Sequence, residues 1–524
     1  MNEVSNISFE GLTFDGNVSN DPTNWGSGAY NAFTGAVGLV LLNSNNIRIK
    51  ACTFRNSMMS GIRIQSSSSV TVEETKVSHA RGNFGDAIYV EKSNDIRFDR
   101  CSVEDYTRIG FVTETGSYNI SFSQCYAKNG HHASKLYGGA EYNAGFWSEN
   151  SQNVTFSQCV AENNTHRGFV ATTGPLTVST VISASFHFQS CLSINNRSVG
   201  FAMGTWTLHP VHVSCSNCSS YGAEKGFMMT IYNHNDTFTL DGCYVYVPSN
   251  NTVDTVAYAV QNFELGTVST TTPKIALTNC VSDCGAMDWS KFSSTQHDSA
   301  DFACIAEPYP NRVSGGGKAN ITIDNFVNAN QGASVVIKSL KGAPSFKISN
   351  SYVTIPVISD FTDFQLSNCR LTTLSHSFGG TGCYGTMSMS NCVVQGDMKV
   401  VTGERIILDS VHFRSWTGKT IEITRFTGNM VRISNCQFEK DIAASDYVLK
   451  LTGSGSFKPP VIIANCTFYN SPNVAAPSKS FIYTVASGIS PIFSGCFSDD
   501  SVPNLLSTGG VLSAPSGNML VTMH

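Results

Sequence analysis

Three glutamates recur at the same place in short, similar segments of the sequence. Each segment opens with glycine or alanine, alternates apolar residues and ends in the glutamate: residues 87–91, 110–114 and 145–149. Alternation has the period of a β-strand with one buried face, so Glu91, Glu114 and Glu149 are expected on the outer face. If the segments pair in parallel, neighbouring carboxylates lie about 5 Å apart. Like charges this close repel, and one carboxyl is expected to hold a proton near neutral pH.

Such a pair of carboxyls suits glycoside hydrolysis, in which one protonates the leaving oxygen and the other acts as base or nucleophile. Neighbouring glutamates match the ~5 Å separation of a retaining pair, whereas Glu91 with Glu149, about 9.6 Å apart, would suit the upper limit of an inverting pair. Tyr89 and Trp147 occupy outer positions of two of the same segments and are expected to bind pyranose faces. Two other readings would also explain these stacked glutamates, which we call the glutamate column. They could be solvated side chains with counter-ions, or they could hold a cation between them.

A second polar group lies in the turns that precede these segments. Long intervals from Cys125 to Cys159 and from Cys159 to Cys191 predict protruding loops there. A polysaccharide lyase could use such an edge, with a cation on the uronate carboxylate and Tyr or His as base. The lyase hypothesis uses His131, His132, Tyr106 and Arg167. The full predicted substrate-binding set is Tyr89, Trp147, Tyr106, Arg108, His131, His132, Tyr142, His166, Arg167 and Trp206.

The elements that position these residues follow from the cysteines. Thirteen of the 17 cysteines end one phrase, apolar-x-apolar-x-x-Cys, as in residues 47–52, 96–101 and 431–436. The phrase recurs at coil-length intervals, and each repeat carries strands too short to bury themselves. Stacking such repeats in parallel buries a continuous core. The sequence therefore predicts an all-β fold, a right-handed parallel β-helix of about 17–18 coils.

The cysteines themselves are expected to be structural. A free cysteine behaves as a small buried apolar residue, and equivalent positions of stacked coils form an inward column. Cys215 and Cys218 form a Cys-x-x-Cys pair, but Cys215 falls on an inward strand position. The pattern therefore predicts reduced thiols, folding in a reducing cytoplasm, and neither a metal site nor a cofactor.

Composition excludes two classes of partner. Only 14% of the 524 residues are charged and the formal net charge is −5, which gives no basic surface for nucleic acid. The sequence contains no run of about 18 apolar residues, which a membrane-spanning helix would need. Residues 1–11 lack the pattern of a secretory signal.

Loop lengths divide the chain into three expected regions. Residues 1–283 form a β-helix half with long loops and the carbohydrate site, and 284–320 form a loop insertion. Residues 321–524 continue the β-helix, and their outer face is mainly Ser and Thr, which predicts a structural or trimer-forming region.

The phrase Asn-Cys-x-Phe or Gln-Cys, followed by Gly-Phe, resembles the coils of pectin-lyase-like right-handed β-helices, above all bacteriophage tailspikes that degrade bacterial surface polysaccharides. The resemblance covers roughly residues 4–500. It implies a homotrimeric spike, folded in the host bacterial cytoplasm and mounted on the virion. Attachment to the phage tail or baseplate would use an N-terminal region absent from this sequence. No short catalytic motif unites that group, so a non-catalytic receptor-binding adhesin remains an alternative to hydrolase and lyase.

Overall fold

A computed structural model describes most of the first 284 residues and shorter stretches beyond them. The described residues are 1–17, 37–82, 84–131, 142–174, 183–205, 209–247, 255–262, 272–284, 299–305, 319–329, 335–339, 345–358, 363–378, 385–400, 405–415, 421–424, 430–440, 449–452, 460–470, 482–484, 491–498, 506–508 and 511–512. The chain forms two compact units, the first of residues 1–273 and 280–299, the second of 274–279 and 300–524.

The first unit consists of short parallel strands in three sheets, and each coil contributes one strand to each sheet. Sheet I contains the strands that end before the cysteine position: Ser5–Glu10, Asn45–Lys50, Ser68–Glu73, Asn94–Asp99, Tyr118–Ser123, Gln152–Ser157, Ala184–Gln189, Val211–Ser216 and Thr237–Asp241. Sheet II contains the strands that follow it: Thr13–Asp15, Thr53–Ser57, Lys76–Ala80, Ser102–Glu104, Tyr126–Lys128, Val160–Glu162, Leu192–Ile194, Ser219–Tyr221, Tyr244–Val247 and Val281–Cys284. Sheet III contains the glycine- or alanine-led segments: Leu39–Leu42, Ile62–Gln65, Ile88–Glu91, Ile109–Glu114, Ala144–Glu149, Arg167–Thr173, Val199–Thr205, Lys225–Ile231 and Thr255–Asn262.

The second unit repeats the pattern. Its cysteine-phrase strands are Lys274–Thr278, Asn320–Asp324, Ser345–Ser349, Phe364–Ser367, Thr386–Ser390, Arg405–Asp409, Met430–Ser434, Val461–Ala464 and Ile492–Ser494. Its other strands are Ser299–Ile305, Val327–Asn328, Val335–Ser339, Tyr352–Ile358, Arg370–Phe378, Val393–Val400, His412–Ser415, Ile421–Thr424, Gln437–Lys440, Leu449–Thr452, Thr467–Asn470, Ile482–Thr484, Phe497–Ser498, Leu506–Thr508 and Val511–Leu512. The last two pair antiparallel.

The predicted parallel β-helix is confirmed, with one difference. The sequence pattern shows two strands per coil, whereas the first unit has three. The strands of sheet II, such as Ser102–Glu104, are mostly three to five residues long and directly follow the cysteine. Strands this short carry too little alternation to be recognised as separate elements.

A left-handed residue before the cysteine turns the chain from sheet I into sheet II. Gln124, Asn217 and Asn435 have φ angles of 52°, 53° and 55°. Asparagine adopts this conformation more readily than most residues, which explains why Asn-Cys recurs in the phrase. The cysteine then points inward, and the described free cysteines are buried.

Two columns of phenylalanine rings fill the core of the first unit. In the column from sheet III, Phe146 stacks on Phe169 at 4.8 Å and Phe169 on Phe201 at 4.7 Å, between ring centroids. Rings from sheet I, such as Phe156 and Phe188, meet this column edge to face. Offset stacks and edge contacts are the arrangements that aromatic pairs prefer. The columns therefore fix the register of the coils.

The glycine that opens a sheet III strand leaves room for the core. A Cβ on Gly110 would lie 2.8 Å from a Val103 methyl of sheet II, and one on Gly145 would lie 2.8 Å from the Ala161 methyl. These glycines let sheet III approach sheet II closely, while the next residue, Phe111 or Phe146, points into the core. Within the described residues, no helix is long and apolar enough to cross a membrane.

Candidate functional site

The glutamate column forms in the predicted register. Glu91 pairs with Glu114 across neighbouring strands of sheet III. On the next strand Thr113 pairs with Ser148, which sets Glu114 beside Glu149. All three carboxylates stay partly accessible on the outer face. The coil-to-coil register therefore brings together the three glutamates singled out from the sequence.

Glu149 lies beside the buried ring of Trp147. Its Oε2 accepts a hydrogen bond from Trp147 Nε1 at 3.1 Å. Burial raises the pKa of the Glu149 carboxyl, and the nearby charge of Glu114 adds to the increase, against the opposing effects of Trp147 and Arg108. A carboxyl that keeps its proton at higher pH than usual is suited to act as a general acid.

Glu114 contacts a tyrosine hydroxyl and an arginine guanidinium. Tyr89 donates a hydrogen bond from its hydroxyl to Glu114 Oε2 at 2.6 Å. Arg108 Nη2 lies 3.9 Å from Glu114 Oε1. A hydroxyl donor and a guanidinium therefore both face this carboxyl. The two neighbouring glutamates thus have different environments, as an acid and a nucleophile require.

Glu91 is held in ion pairs. Arg63 Nη2 lies 3.6 Å from Glu91 Oε2, and Lys92 Nζ lies 3.2 Å from Oε1. The Arg63 guanidinium also covers the Tyr89 ring at 4.3 Å from its centroid. Glu91 therefore serves as the counter-ion of Arg63 more than as a free carboxylate.

Sequence reasoning missed Asp86, which lies behind the column. Its Oδ2 accepts a hydrogen bond from Arg108 Nη1 at 3.3 Å, and its side chain is 3% exposed. Burial raises the pKa of Asp86 to about 7, although the charge of Arg108 opposes the shift. Arg108 thus bridges Asp86 and Glu114. The sequence could have pointed to Asp86 through its position, because it immediately precedes the segment that contains Tyr89 and Glu91.

The substitution Asp86→Asn tests this arrangement through pH. The unfolded state ionises near the ordinary pKa, and the folded state only near 7. Wild-type protein therefore loses stability relative to Asp86→Asn as pH rises from about 4 to about 7. Above about pH 7 the difference in free energy of unfolding between the two proteins no longer changes with pH. Denaturant midpoints of both proteins across this range measure it, and a pH-independent difference would contradict the assignment.

The predicted aromatic platforms need correction. Trp147 is only 7% exposed, because Tyr142 stacks on it at 6.0 Å and the Arg167 guanidinium lies 5.5 Å from its ring. Tyr89 is also partly buried, and its hydroxyl is engaged by Glu114. Trp147 therefore presents no open face, whereas Tyr89 keeps part of its surface accessible; each donates a hydrogen bond to a glutamate. Tyr142, 41% exposed, is the accessible ring.

Tyr106 also differs from its predicted role. Its side chain is fully buried, and its hydroxyl donates a hydrogen bond to Asn164 Oδ1 inside the coil. A buried tyrosine with an internal partner cannot contact a polysaccharide, so its assignment as a substrate-binding residue is wrong. Residues in the turns do not follow strand alternation, which is why the sequence pattern misplaced it. Arg108 likewise is mostly buried, and it acts between Asp86 and Glu114.

The structure describes only some of the turn residues that were predicted to form a lyase site. His131 is exposed, and His166 is half-buried one coil further on, next to Arg167. His132 and Trp206 lie outside the described residues. Of the residues in the lyase hypothesis, the structure describes His131, which is exposed, Arg167, which is half-buried, and Tyr106, which is buried. In the described part of the chain, no three His, Cys, Asp or Glu side chains are grouped to hold a metal ion.

Gly174 shapes the space around the general-acid candidate. A Cβ at this position would lie 1.8 Å from Glu149 Oε1. The substitution Gly174→Ala should therefore displace the Glu149 carboxyl and leave the fold intact, because the displaced atom ends a side chain. We expect the rate of any reaction that uses the Glu149 carboxyl to fall by about 10-fold or more, since misplaced catalytic groups cost this much. Thermal unfolding of the variant checks that the fold is intact, and a rate equal to that of wild type would contradict the placement of the Glu149 carboxyl.

Comparisons with known proteins concern the fold. A family model described as "Right handed beta helix region" matches residues 37–218. The match agrees with the predicted right-handed coiling. The chain is also similar to solved structures of an alginate lyase of the PL6 family, AlyGC. For a mutant form the identity is 9%, the TM-score 0.19, and the match covers 98% of this chain and 97% of the other.

A second AlyGC structure matches at 9% identity and a TM-score of 0.17, covering 92% of this chain and 97% of the other. Similarity at this level carries no conclusion about activity. The comparison with curated proteins finds no match. The functional argument therefore depends on the residues of the site.

Proposed function

We propose that this protein is a depolymerase that hydrolyses glycosidic bonds of a bacterial surface polysaccharide, with Glu149 as general acid and Glu114 as nucleophile. The observation that carries the proposal is the pair of glutamates on neighbouring strands with opposite environments. Burial favours a proton on Glu149, whereas Glu114 lies against the Tyr89 hydroxyl and the Arg108 guanidinium. This is the division of roles that the reaction needs.

The spacing of the coils favours a retaining mechanism. Neighbouring parallel strands lie about 4.8 Å apart, close to the ~5–5.5 Å between the carboxyls of retaining enzymes. Glu149 would protonate the glycosidic oxygen while Glu114 attacks the anomeric carbon and forms a glycosyl–enzyme intermediate. Water, activated by the Glu149 carboxylate, would then release the sugar and restore the proton on Glu149.

The proposal extends to the setting that the sequence resemblance implies. The protein would be a homotrimeric tailspike on a phage virion, acting on a capsule, an exopolysaccharide or an O-antigen. It would fold in the host cytoplasm and join the phage tail or baseplate. The buried free cysteines are compatible with folding in a reducing compartment.

Incubation with surface polysaccharides from a panel of bacterial strains tests the proposal. Chain length, new reducing ends and the ultraviolet absorbance of unsaturated uronates are followed together. Hydrolysis predicts shorter chains with new reducing ends and no such absorbance. Shortening with absorbance would show a lyase, and binding without shortening would show an adhesin; either result would overturn the proposal.

A further inference from the structure

Three tyrosines gather on the outer face of sheet II, on a different sheet from the glutamate column. Tyr221 ends one strand, and Tyr244 and Tyr246 lie on the next, where Tyr246 pairs with Tyr221. The ring centroid of Tyr221 lies 5.5 Å from that of Tyr244 and 6.4 Å from that of Tyr246. The three rings therefore form one continuous aromatic surface, which we call the tyrosine cluster.

Two rings of the tyrosine cluster are open to solvent. Tyr221 is 38% exposed and Tyr246 is 41% exposed. Tyr244 is half-buried, and its hydroxyl donates a hydrogen bond to Asp283 Oδ2 at 3.1 Å, which fixes its ring beside Tyr221. Tyrosine combines an apolar ring with a polar hydroxyl and is common at binding surfaces for this reason. The cluster is therefore an accessible surface that is apolar at its centre and polar at its edges.

The strand column that contains Tyr221 and Tyr246 ends in an acidic residue on both sides. Its members, in the order of the coils, are Glu162, Ile194, Tyr221, Tyr246 and Asp283. The two carboxylates disfavour an anionic partner. They are also acceptors that hydroxyl groups can reach from above the rings. The charge around the cluster thus favours an uncharged ligand rich in hydroxyl groups.

The size of the cluster distinguishes a small ligand from a second copy of the chain. A fully buried aromatic side chain covers about 150–250 Å², so the exposed parts of Tyr221 and Tyr246 together amount to about 150 Å². A stable protein interface needs about 800 Å² from each partner. In earlier coils the same face of sheet II carries ion pairs of Lys76 and Lys128 with Glu104, which do not extend the apolar surface. The cluster therefore matches a sugar ring better than a subunit.

We propose that the tyrosine cluster binds uncharged sugar residues of the polysaccharide, with the apolar face of a pyranose ring against Tyr221 and Tyr246. The hydroxyl groups at the edge of the sugar would donate hydrogen bonds to Glu162 and Asp283. The inference rests on the proposed function for the identity of the polymer, and it adds a second, non-catalytic contact on another sheet. A polymer chain that engages both sites is held more tightly than by either site alone.

Affinity electrophoresis tests the inference. The probes are the polysaccharides purified from the panel of bacterial strains, each included in a native gel at several concentrations. The parent protein carries Glu149→Gln, so that the probe is not consumed. At least one probe should retard the parent, and adding Tyr221→Ala with Tyr246→Ala should weaken that binding by about tenfold or more, since central aromatic contacts carry much of the energy of a binding surface. Thermal unfolding checks that the fold is intact.

Tyr118→Ala is the matched control in the same parent. Tyr118 is 44% exposed on the outer face of sheet I, and its strand partners are Asn94 and Gln152. The substitution removes an equally exposed tyrosine without changing the cluster, so binding should equal that of the parent. Light scattering on all three proteins measures their oligomeric state.

The outcomes separate this inference from the proposed function. If no probe retards the parent, or if the double tyrosine variant binds as the parent does, the inference is wrong even when the wild-type protein hydrolyses a polysaccharide. A change of oligomeric state in the double variant would show that a second copy covers the cluster, and it would also overturn the inference. If a probe is bound through the tyrosines but the wild-type protein shortens none, the sugar site stands and the hydrolase fails.

Discussion

Glu149→Gln should lower the initial rate of polysaccharide cleavage by about 10²–10⁴-fold. The amide cannot donate the proton that the leaving oxygen needs, and general acid catalysis contributes this factor. Glutamine keeps the size of the side chain, and its carbonyl oxygen still accepts the hydrogen bond from Trp147 Nε1. The fold should therefore be unchanged, and thermal unfolding of the variant checks it.

Glu114→Gln should cost at least as much, because the amide is not a nucleophile. Glu91→Gln is the matched control, since Glu91 lies in the same column but is engaged by Arg63 and Lys92. We expect its rate to stay within about tenfold of wild type, as for a residue outside the proton transfer. Equal losses in all three variants would instead indicate a shared electrostatic role for the column, and full activity in Glu114→Gln would refute the nucleophile.

Phe169→Ala should lower the free energy of unfolding by about 3–5 kcal/mol, the cost of removing a large aromatic side chain from a packed core. Phe169 stacks between Phe146 and Phe201 and also meets Phe156 and Phe188 edge to face. The deletion therefore removes contacts with both columns at once. Denaturant unfolding at equilibrium measures the change where unfolding is reversible, and the unfolding rate measures it otherwise.

Val160→Ala is the control for this prediction. Val160 lies on the outer face of sheet II and is half-buried. Its truncation should cost about 1 kcal/mol or less, because little buried surface is lost. A loss for Phe169→Ala no larger than this would mean that the two columns do not carry the packing of the first unit.

The sequence predicts the parts of the molecule that obey strand alternation. Glu91, Glu114 and Glu149 occupy strand positions, and a period of two places them on the outer face in register. The burial of the cysteines, such as Cys101 and Cys125, was predicted on a different ground, the small apolar character of their position in every repeat. Where a single pattern governs both burial and pairing, the position of a side chain follows from its place in the segment.

Residues in the turns do not follow strand alternation. Tyr106 was expected to face solvent and is buried against Asn164, while Asp86 was overlooked and lies behind the column with Arg108. Their positions depend on the path of each turn and on the side chains of the next coil. Trp147 shows a further limit, since alternation places it outward but does not reveal that Tyr142 and Arg167 cover it.

Cleavage in water enriched in heavy oxygen tests the central claim most directly, once a susceptible polysaccharide is known. Hydrolysis through Glu114 and Glu149 predicts that mass spectrometry finds one heavy oxygen at each new reducing end. It also predicts that this label is formed at least about 10²-fold more slowly by Glu149→Gln. Unsaturated products without heavy oxygen, or labelling at the wild-type rate by Glu149→Gln, would contradict the claim.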